Sequence, residues 1–173
     1  MLHAYVFGPI VITAGHWIQR GVETESGARV EIRRVEYEEV AGAAAGIGGL
    51  RILSVSAGIW RADLFRDQDG EIIYHYHPQF EKGDVGERFF DDQLTADPVG
   101  FVIDRLLDLR EVLVGSGAGD IAGEVNYAEV ERALPAIRAA IVASFEPWAA
   151  PPRGSPGDPG VSGSPGDPGV SSR

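Results

Sequence analysis

Apolar and polar residues alternate along the first eighty residues, which is the pattern of β-strands that bury one face. Up to Arg33 the apolar side chains share one parity, and the letters TESG predict the turn between two strands. These apolar positions are Ile18, Val22, Val30 and Ile32. Beyond Arg34 the parity reverses to Val35 and Tyr37, which indicates a bulge. The pattern therefore predicts an antiparallel, meander-like sheet over about residues 4–80.

The apolar period changes from that of strands to that of helices in the C-terminal half. Asp97 followed by Pro98 is typical of a helix start, with the aspartate as cap and the proline in the first turn. Apolar residues then recur at helical spacing until the letters GSGAG. They are Val99, Val102, Leu106, Leu109 and Leu113. This segment predicts one helix that begins at Asp97 and ends near Leu113.

A second helix is predicted after Asn126, which forms a capping-box-like start with Glu129 three residues later. Its apolar face consists of Val130, Leu134, Ile137, Ile141 and Phe145. Pro135 lies inside the segment, so we expect it to kink or restart the helix. Each helix has a single apolar stripe, as helices packed on a sheet do. The predicted class is therefore α+β, with two helices on the apolar face of the sheet.

The stretch from Ile59 to Phe80, IWRADLFRDQDGEIIYHYHPQF, predicts a β-hairpin. A three-residue loop at 68–70, a type I turn followed by Gly70 in the left-handed region, gives it one apolar and one polar face. The apolar face then carries Trp60, Ala62, Leu64, Ile72, Tyr74 and Tyr76, and the polar face carries Arg61, Asp63, Phe65, Ile73, His75 and His77. In this register Asp63 is opposite His75 and Arg61 is opposite His77, on the face away from the helices.

Arg61, Asp63, His75 and His77 are the candidate site residues. A carboxylate beside a histidine favours the imidazolium and suits acid–base chemistry. Two histidines at i and i+2 with a carboxylate also form a donor set for a divalent metal. Because Arg61 repels a cation and favours an anionic ligand, we expect no metal and no other cofactor. The preferred interpretation is nevertheless a solvated strand face whose cross-strand pairs add little stability.

Three other features bear on this cluster. His16 is distant in sequence, which leaves open whether it joins the site, and His3 is expected in an edge strand or a mobile terminus. The acidic segment 81–97, EKGDVGERFFDDQLTAD, is interpreted as a solvated loop held down by Phe89 and Phe90. The alternatives are a lid over the hairpin or an acidic contact surface for a basic partner.

Net charge restricts the classes of partner. The chain carries a formal charge of −11, and this field repels the phosphate backbone, which disfavours nucleic acid as a partner. No apolar run reaches the roughly 20 residues of a membrane span, and no export signal is visible, so we expect a cytoplasmic protein without membrane contact. Cysteine is absent, which excludes disulfides and thiolate chemistry.

The last residues differ in composition from the rest. The unit GSPGDPGVS occurs twice after residue 153, with glycine at every third position. Such a segment cannot build a core, so we expect a single α+β domain at 1–150 and a disordered, collagen-like tail at 151–173. A trimerising or surface role for the tail is the alternative, and the oligomeric state is open.

Two hypotheses for the function follow. The preferred one is a non-enzymatic binding or interaction module for an unknown protein or a small anionic ligand. The alternative is a small hydrolase of phosphoesterase or ribonuclease type. In that enzyme His75 serves as acid or base, Asp63 orients it, Arg61 holds the anion and His77 is the second acid or base.

Overall fold

The computed structural model describes residues 1–21, 24–39, 51–80 and 86–146. The expected tail at 151–173 and the stretch 41–49, AGAAAGIGG, lie outside these described residues. The tail therefore stays a prediction.

The fold is a five-stranded antiparallel sheet followed by helices, which confirms the α+β class. The strands lie side by side in chain order, as in a meander. They are β1 (Leu2–Phe7), β2 (Ile10–Arg20), β3 (Thr24–Glu39), β4 (Arg51–Arg66) and β5 (His75–His77). The helices are α1 (Asp92–Ala96), α2 (Pro98–Leu107), α3 (Leu109–Gly115) and α4 (Tyr127–Ala143), with a 3₁₀ turn at Gly119–Ile121.

Strand pairing confirms the predicted irregularity in β3 and corrects the predicted turn. The β3–β4 register shifts between Ile32 and Val35, where the parity change indicated a bulge. The letters TESG are not a turn, because Thr24 already pairs with Arg20 and the strand continues through Gly27. Gly27 lies so close to β4 that an added Cβ would collide with the Leu64 carbonyl oxygen. Close strand approach, and not a turn, therefore explains this glycine.

The helices pack on one face of the sheet and bury its apolar side chains together with their own. Trp60, Ala62 and Leu64 of β4 belong to this core, as the hairpin pattern predicted. Helix α4 also contacts the sheet through polar groups, since the Tyr5 hydroxyl donates to the Ala136 carbonyl at 3.1 Å. The sheet therefore has one face covered by helices and an opposite face, here called the outer face.

The helical region differs in detail from its prediction. The first predicted helix is two helices, because Asp108 departs from helical geometry with ψ of 26° while the buried apolar positions continue on both sides. The second begins as predicted, with the Asn126 side chain accepting from the Glu129 N–H, but it runs through Pro135 without restarting. Helix α1 was not predicted. Among the described residues, no helix combines the length and the apolar character needed to cross a bilayer.

Candidate functional site

The β4–β5 hairpin has the register predicted from its turn. Asp63 pairs with His75, and Arg61 pairs with His77. The Asp67 N–H donates to the Glu71 carbonyl and the Gly70 N–H donates to the Asp67 carbonyl, both at 3.1 Å. The Glu71 N–H donates in return to the Asp67 side-chain Oδ1 at 2.9 Å, which closes the loop. Gly70 has a φ of +88°, the left-handed conformation that the three-residue loop requires. The four candidate side chains therefore lie on the outer face, away from the helices.

The expectation of a solvated outer face is wrong at these positions. Arg61 is 4% exposed, His75 is 1% exposed, and both Asp63 and His77 are 0% exposed. Charged groups that leave water need partners, because desolvation otherwise costs several kcal/mol per ion, on the order of the total stability of a domain. The four side chains thus form an enclosed polar cluster, defined here as the Asp63 cluster.

Aromatic side chains from the chain around β5 help to enclose the Asp63 cluster. The Phe80 ring packs on Gly58 of β4 and lies 5.2 Å from the Arg61 guanidinium carbon. The Phe90 ring lies 5.9 Å from the His75 ring, and Phe89 pairs with Tyr76 through backbone bonds. Phe89 therefore joins the described part of the acidic segment to β5, and Phe90 covers part of the site although it is 68% exposed. The prediction of a loop pinned by both phenylalanines is wrong in this respect, and also at Asp92–Ala96, which forms α1.

Asp63 is the centre of the cluster. Its Oδ1 accepts a hydrogen bond from Nε of Arg29. Its Oδ2 lies 3.0 Å from Nε of Arg61 and 3.5 Å from Nε2 of both His75 and His77. None of these three approaches to Oδ2 has hydrogen-bond geometry, so this buried carboxylate oxygen has no hydrogen-bond partner within the described residues.

Arg29 is a site residue that sequence reasoning missed. It lies on β3 directly opposite Asp63, is 8% exposed, and also donates to Gln19 at 3.1 Å. Its guanidinium stacks over the Trp17 ring at 4.7 Å. The hairpin turn fixes the β4–β5 register locally, whereas the long connection between β3 and β4 leaves their register unspecified in the sequence. No local signal therefore identified Arg29 as the partner of Asp63.

Hydrogen bonds show whether one nitrogen in each of the His75 and His77 rings carries a proton. Nδ1 of His75 lies 2.8 Å from the Ile73 carbonyl oxygen, which only accepts, so this nitrogen carries a proton. Nε2 of His77 lies 3.0 Å from Nη2 of Arg61, which only donates, so this nitrogen is unprotonated. In the neutral form of each ring, a lone pair on Nε2 therefore faces the Asp63 carboxylate.

The cluster also shifts the acidity of its charged groups. Burial raises the pKa of Asp63, but the charge and the hydrogen bond of Arg29 act in the opposite direction, and that pKa lies far below its usual range. Burial lowers the pKa of Arg61, and the Asp63 charge opposes this effect only in part. With neutral histidines, Asp63, Arg29 and Arg61 together carry one net positive charge.

The remaining two histidines do not join the cluster. Nδ1 of His16 lies 3.0 Å from the Ser144 carbonyl oxygen, which follows helix α4 on the other side of the sheet. His3 lies in the edge strand β1, as expected.

The donor atoms of Asp63, His75 and His77 have the spacing of a metal site. One ligand atom from each residue lies within 4.8 Å of the other two, and all three residues are buried. Two ligands about 2.0–2.1 Å from a common ion lie roughly 3–4 Å apart. Asp63 Oδ2 lies 3.5 Å from Nε2 of His75 and from Nε2 of His77, which is within this range. Comparison of the chain with protein-family models, with curated proteins and with solved structures found no match.

Proposed function

We propose that the protein is a non-enzymatic binding module that holds a divalent transition-metal ion between Asp63, His75 and His77. The observation that carries this proposal is the convergence of a carboxylate oxygen and two imidazole nitrogens, within 4.8 Å, in an enclosed position. Each of these atoms offers a lone pair, and Asp63 Oδ2 has no hydrogen bond of its own. A cation is the partner that satisfies three converging acceptors at once.

The hydrogen bonds that orient His75 and Asp63 support the same proposal. The His75 ring is oriented through its other nitrogen by the Ile73 carbonyl, and the second carboxylate oxygen of Asp63 is held by Arg29. Metal-binding histidines and carboxylates are commonly oriented in this way. Two imidazoles and one carboxylate are ligands that Zn²⁺ and Fe²⁺ accept, whereas Mg²⁺ and Ca²⁺ prefer oxygen alone.

Burial favours binding over the alternative hydrolase. An ester substrate must reach the acid–base pair, but Asp63 and His77 are 0% exposed and His75 is 1% exposed. An ion is small enough to be held among these side chains. The one net positive charge that Arg29, Arg61 and Asp63 carry together favours the small anionic ligand that the sequence suggested. An anion is therefore the competing outcome of the experiment below.

The experiment measures metal binding by calorimetry after chelator treatment, with Zn²⁺ and Co²⁺ as probes. We expect one ion per chain, and a Co²⁺ absorption spectrum typical of nitrogen and oxygen ligands. Replacing His75 or His77 with alanine removes a ligand and should weaken binding at least about a hundredfold, beyond the 10–100-fold effect of outer-shell changes. His16→Ala and His3→Ala are matched controls and should bind as the parent does.

Two results contradict the metal proposal. One is the lack of stoichiometric Zn²⁺ and Co²⁺ binding by the folded parent protein. The other is a melting temperature that rises with inorganic phosphate but not with either metal, which would identify an anion site around Arg61. Circular dichroism of each variant separates loss of a ligand from loss of the fold.

A further inference from the structure

We infer that Arg61 is an affinity-determining residue of this site, a built-in cation that competes with the metal ion. The inference rests on the proposed function and concerns its regulation. Nε of Arg61 lies 3.0 Å from Asp63 Oδ2, and Nη2 lies 3.0 Å from Nε2 of His77. The guanidinium therefore lies against two of the three atoms that a metal ion uses, with an aligned hydrogen bond only to His77, and it must leave when the ion binds.

Charge repulsion between Arg61 and the metal ion should weaken metal binding. Arg61 and a divalent ion repel each other, and at contact distance in a site removed from water this repulsion is strong. The guanidinium is also imperfectly held, because its Nε is buried without an aligned acceptor. Displacing the guanidinium therefore breaks one hydrogen bond within the site, from Nη2 of Arg61 to Nε2 of His77. Metal binding is thus weakened by Arg61 without being prevented.

Glu31 is the acidic group best placed to receive the displaced guanidinium. It lies on β3 directly opposite Arg61, on the same outer face, and its Oε2 accepts from Nε of Arg33 at 2.7 Å. Cross-strand partners at such a pair have Cβ atoms about 4.5–5.5 Å apart, within reach of an arginine side chain. The exchange therefore moves Arg61 from Asp63 and His77 toward Glu31.

The first test compares Arg61→Gln with Arg66→Gln by Zn²⁺ calorimetry. Arg66 lies on the same strand but is exposed and bonds the turn at Gly70, so the control removes the same charge outside the site. We expect Arg61→Gln to tighten Zn²⁺ binding at least about tenfold. Arg66→Gln should change it by less than about threefold, since exposed charges are screened. Unchanged or weaker binding in Arg61→Gln would overturn the inference.

A second test adds Glu31→Gln in both backgrounds. If Glu31 receives Arg61, the substitution weakens Zn²⁺ binding more in the parent than in Arg61→Gln, because only the parent has a guanidinium to accommodate. Equal effects in the two backgrounds would mean that Glu31 acts only as a distant charge, and would remove it from the exchange.

The third test measures the exchange in the parent protein itself. In ¹⁵N spectra of the parent, the Arg61 Nε–Hε signal, assigned with Arg61→Gln, should shift as Zn²⁺ is added. A bound ion with an unchanged Arg61 signal would show that the guanidinium stays in place, and would overturn the inference while leaving metal binding intact. If neither the parent nor Arg61→Gln binds Zn²⁺, the proposed function itself fails.

Discussion

At the scale of single residues, the site depends on one buried carboxylate among buried cations. Asp63 contacts Arg29 through one oxygen and Arg61 through the other. Removing one member of a buried ion pair leaves the other charge without compensation, which costs more than the pair contributes when intact. The residue types of the cluster were readable from the sequence, but their burial was not, because no local pattern distinguishes enclosed polar side chains from solvated ones.

Replacing Asp63 with asparagine should therefore destabilise the metal-free protein strongly. The substitution keeps the shape of the side chain but leaves Arg29 and Arg61 facing a neutral amide. We expect the free energy of unfolding to fall by about 3–5 kcal/mol. Urea denaturation in the presence of a chelator measures this loss without any contribution from bound metal.

Asp120→Asn is the matched control for this change. Asp120 accepts two hydrogen bonds from Arg34, but both side chains are at the surface, so its loss should have little effect on the free energy of unfolding.

The stability lost in Asp63→Asn also depends on pH. Because the pKa of Asp63 is lowered by folding, its stabilisation is complete above about pH 4 and declines as the pH falls toward the lowered value. Equal losses in the two variants would contradict a buried ion-pair network.

At the scale of elements, the β4–β5 hairpin was predictable because its register depends on a local turn. Only the three-residue loop gave one apolar face and placed glycine in the left-handed position, and both features are present. The opposite case is β3, whose pairing with β4 follows a long connection. The parity change predicted its bulge, yet the residue opposite Asp63 depends on a register that no local sequence specifies.

Replacing Gly70 with valine should destabilise the hairpin through the backbone alone. An added Cβ at Gly70 meets no atom within 4 Å, so the cost comes from positive φ and not from a collision. We expect a loss of roughly 1 kcal/mol or more in the free energy of unfolding, measured by urea denaturation. At Gly123 the added Cβ also meets open space, but φ is not positive, so Gly123→Val is the control. A loss as large at Gly123 would refute the conformational explanation.

At the scale of the whole molecule, the two faces of the sheet are buried by different means. Helices cover one face with apolar side chains, and their periodicity made that layer predictable. On the outer face, buried groups include Phe65, Phe80 and the Asp63 cluster, with Phe90 from the chain after β5 partly covering it. This second layer is formed by non-local contacts of aromatic and charged residues. Sequence periodicity therefore predicted the core but not the enclosure of the candidate site.

Deleting residues 154–173 tests whether the repeat in the tail contributes to this architecture. The segment has almost no apolar side chains to bury, so we expect the truncated protein to keep its melting temperature and its Zn²⁺ affinity. Calorimetry compares the melting temperatures, and light scattering during size-exclusion chromatography compares the masses of the full and truncated chains. The alternative is that the tail assembles the protein, because long repeats with glycine at every third position form a triple helix. A full-length trimer that dissociates on deletion, with a melting temperature several degrees lower, would show that the repeat assembles the protein.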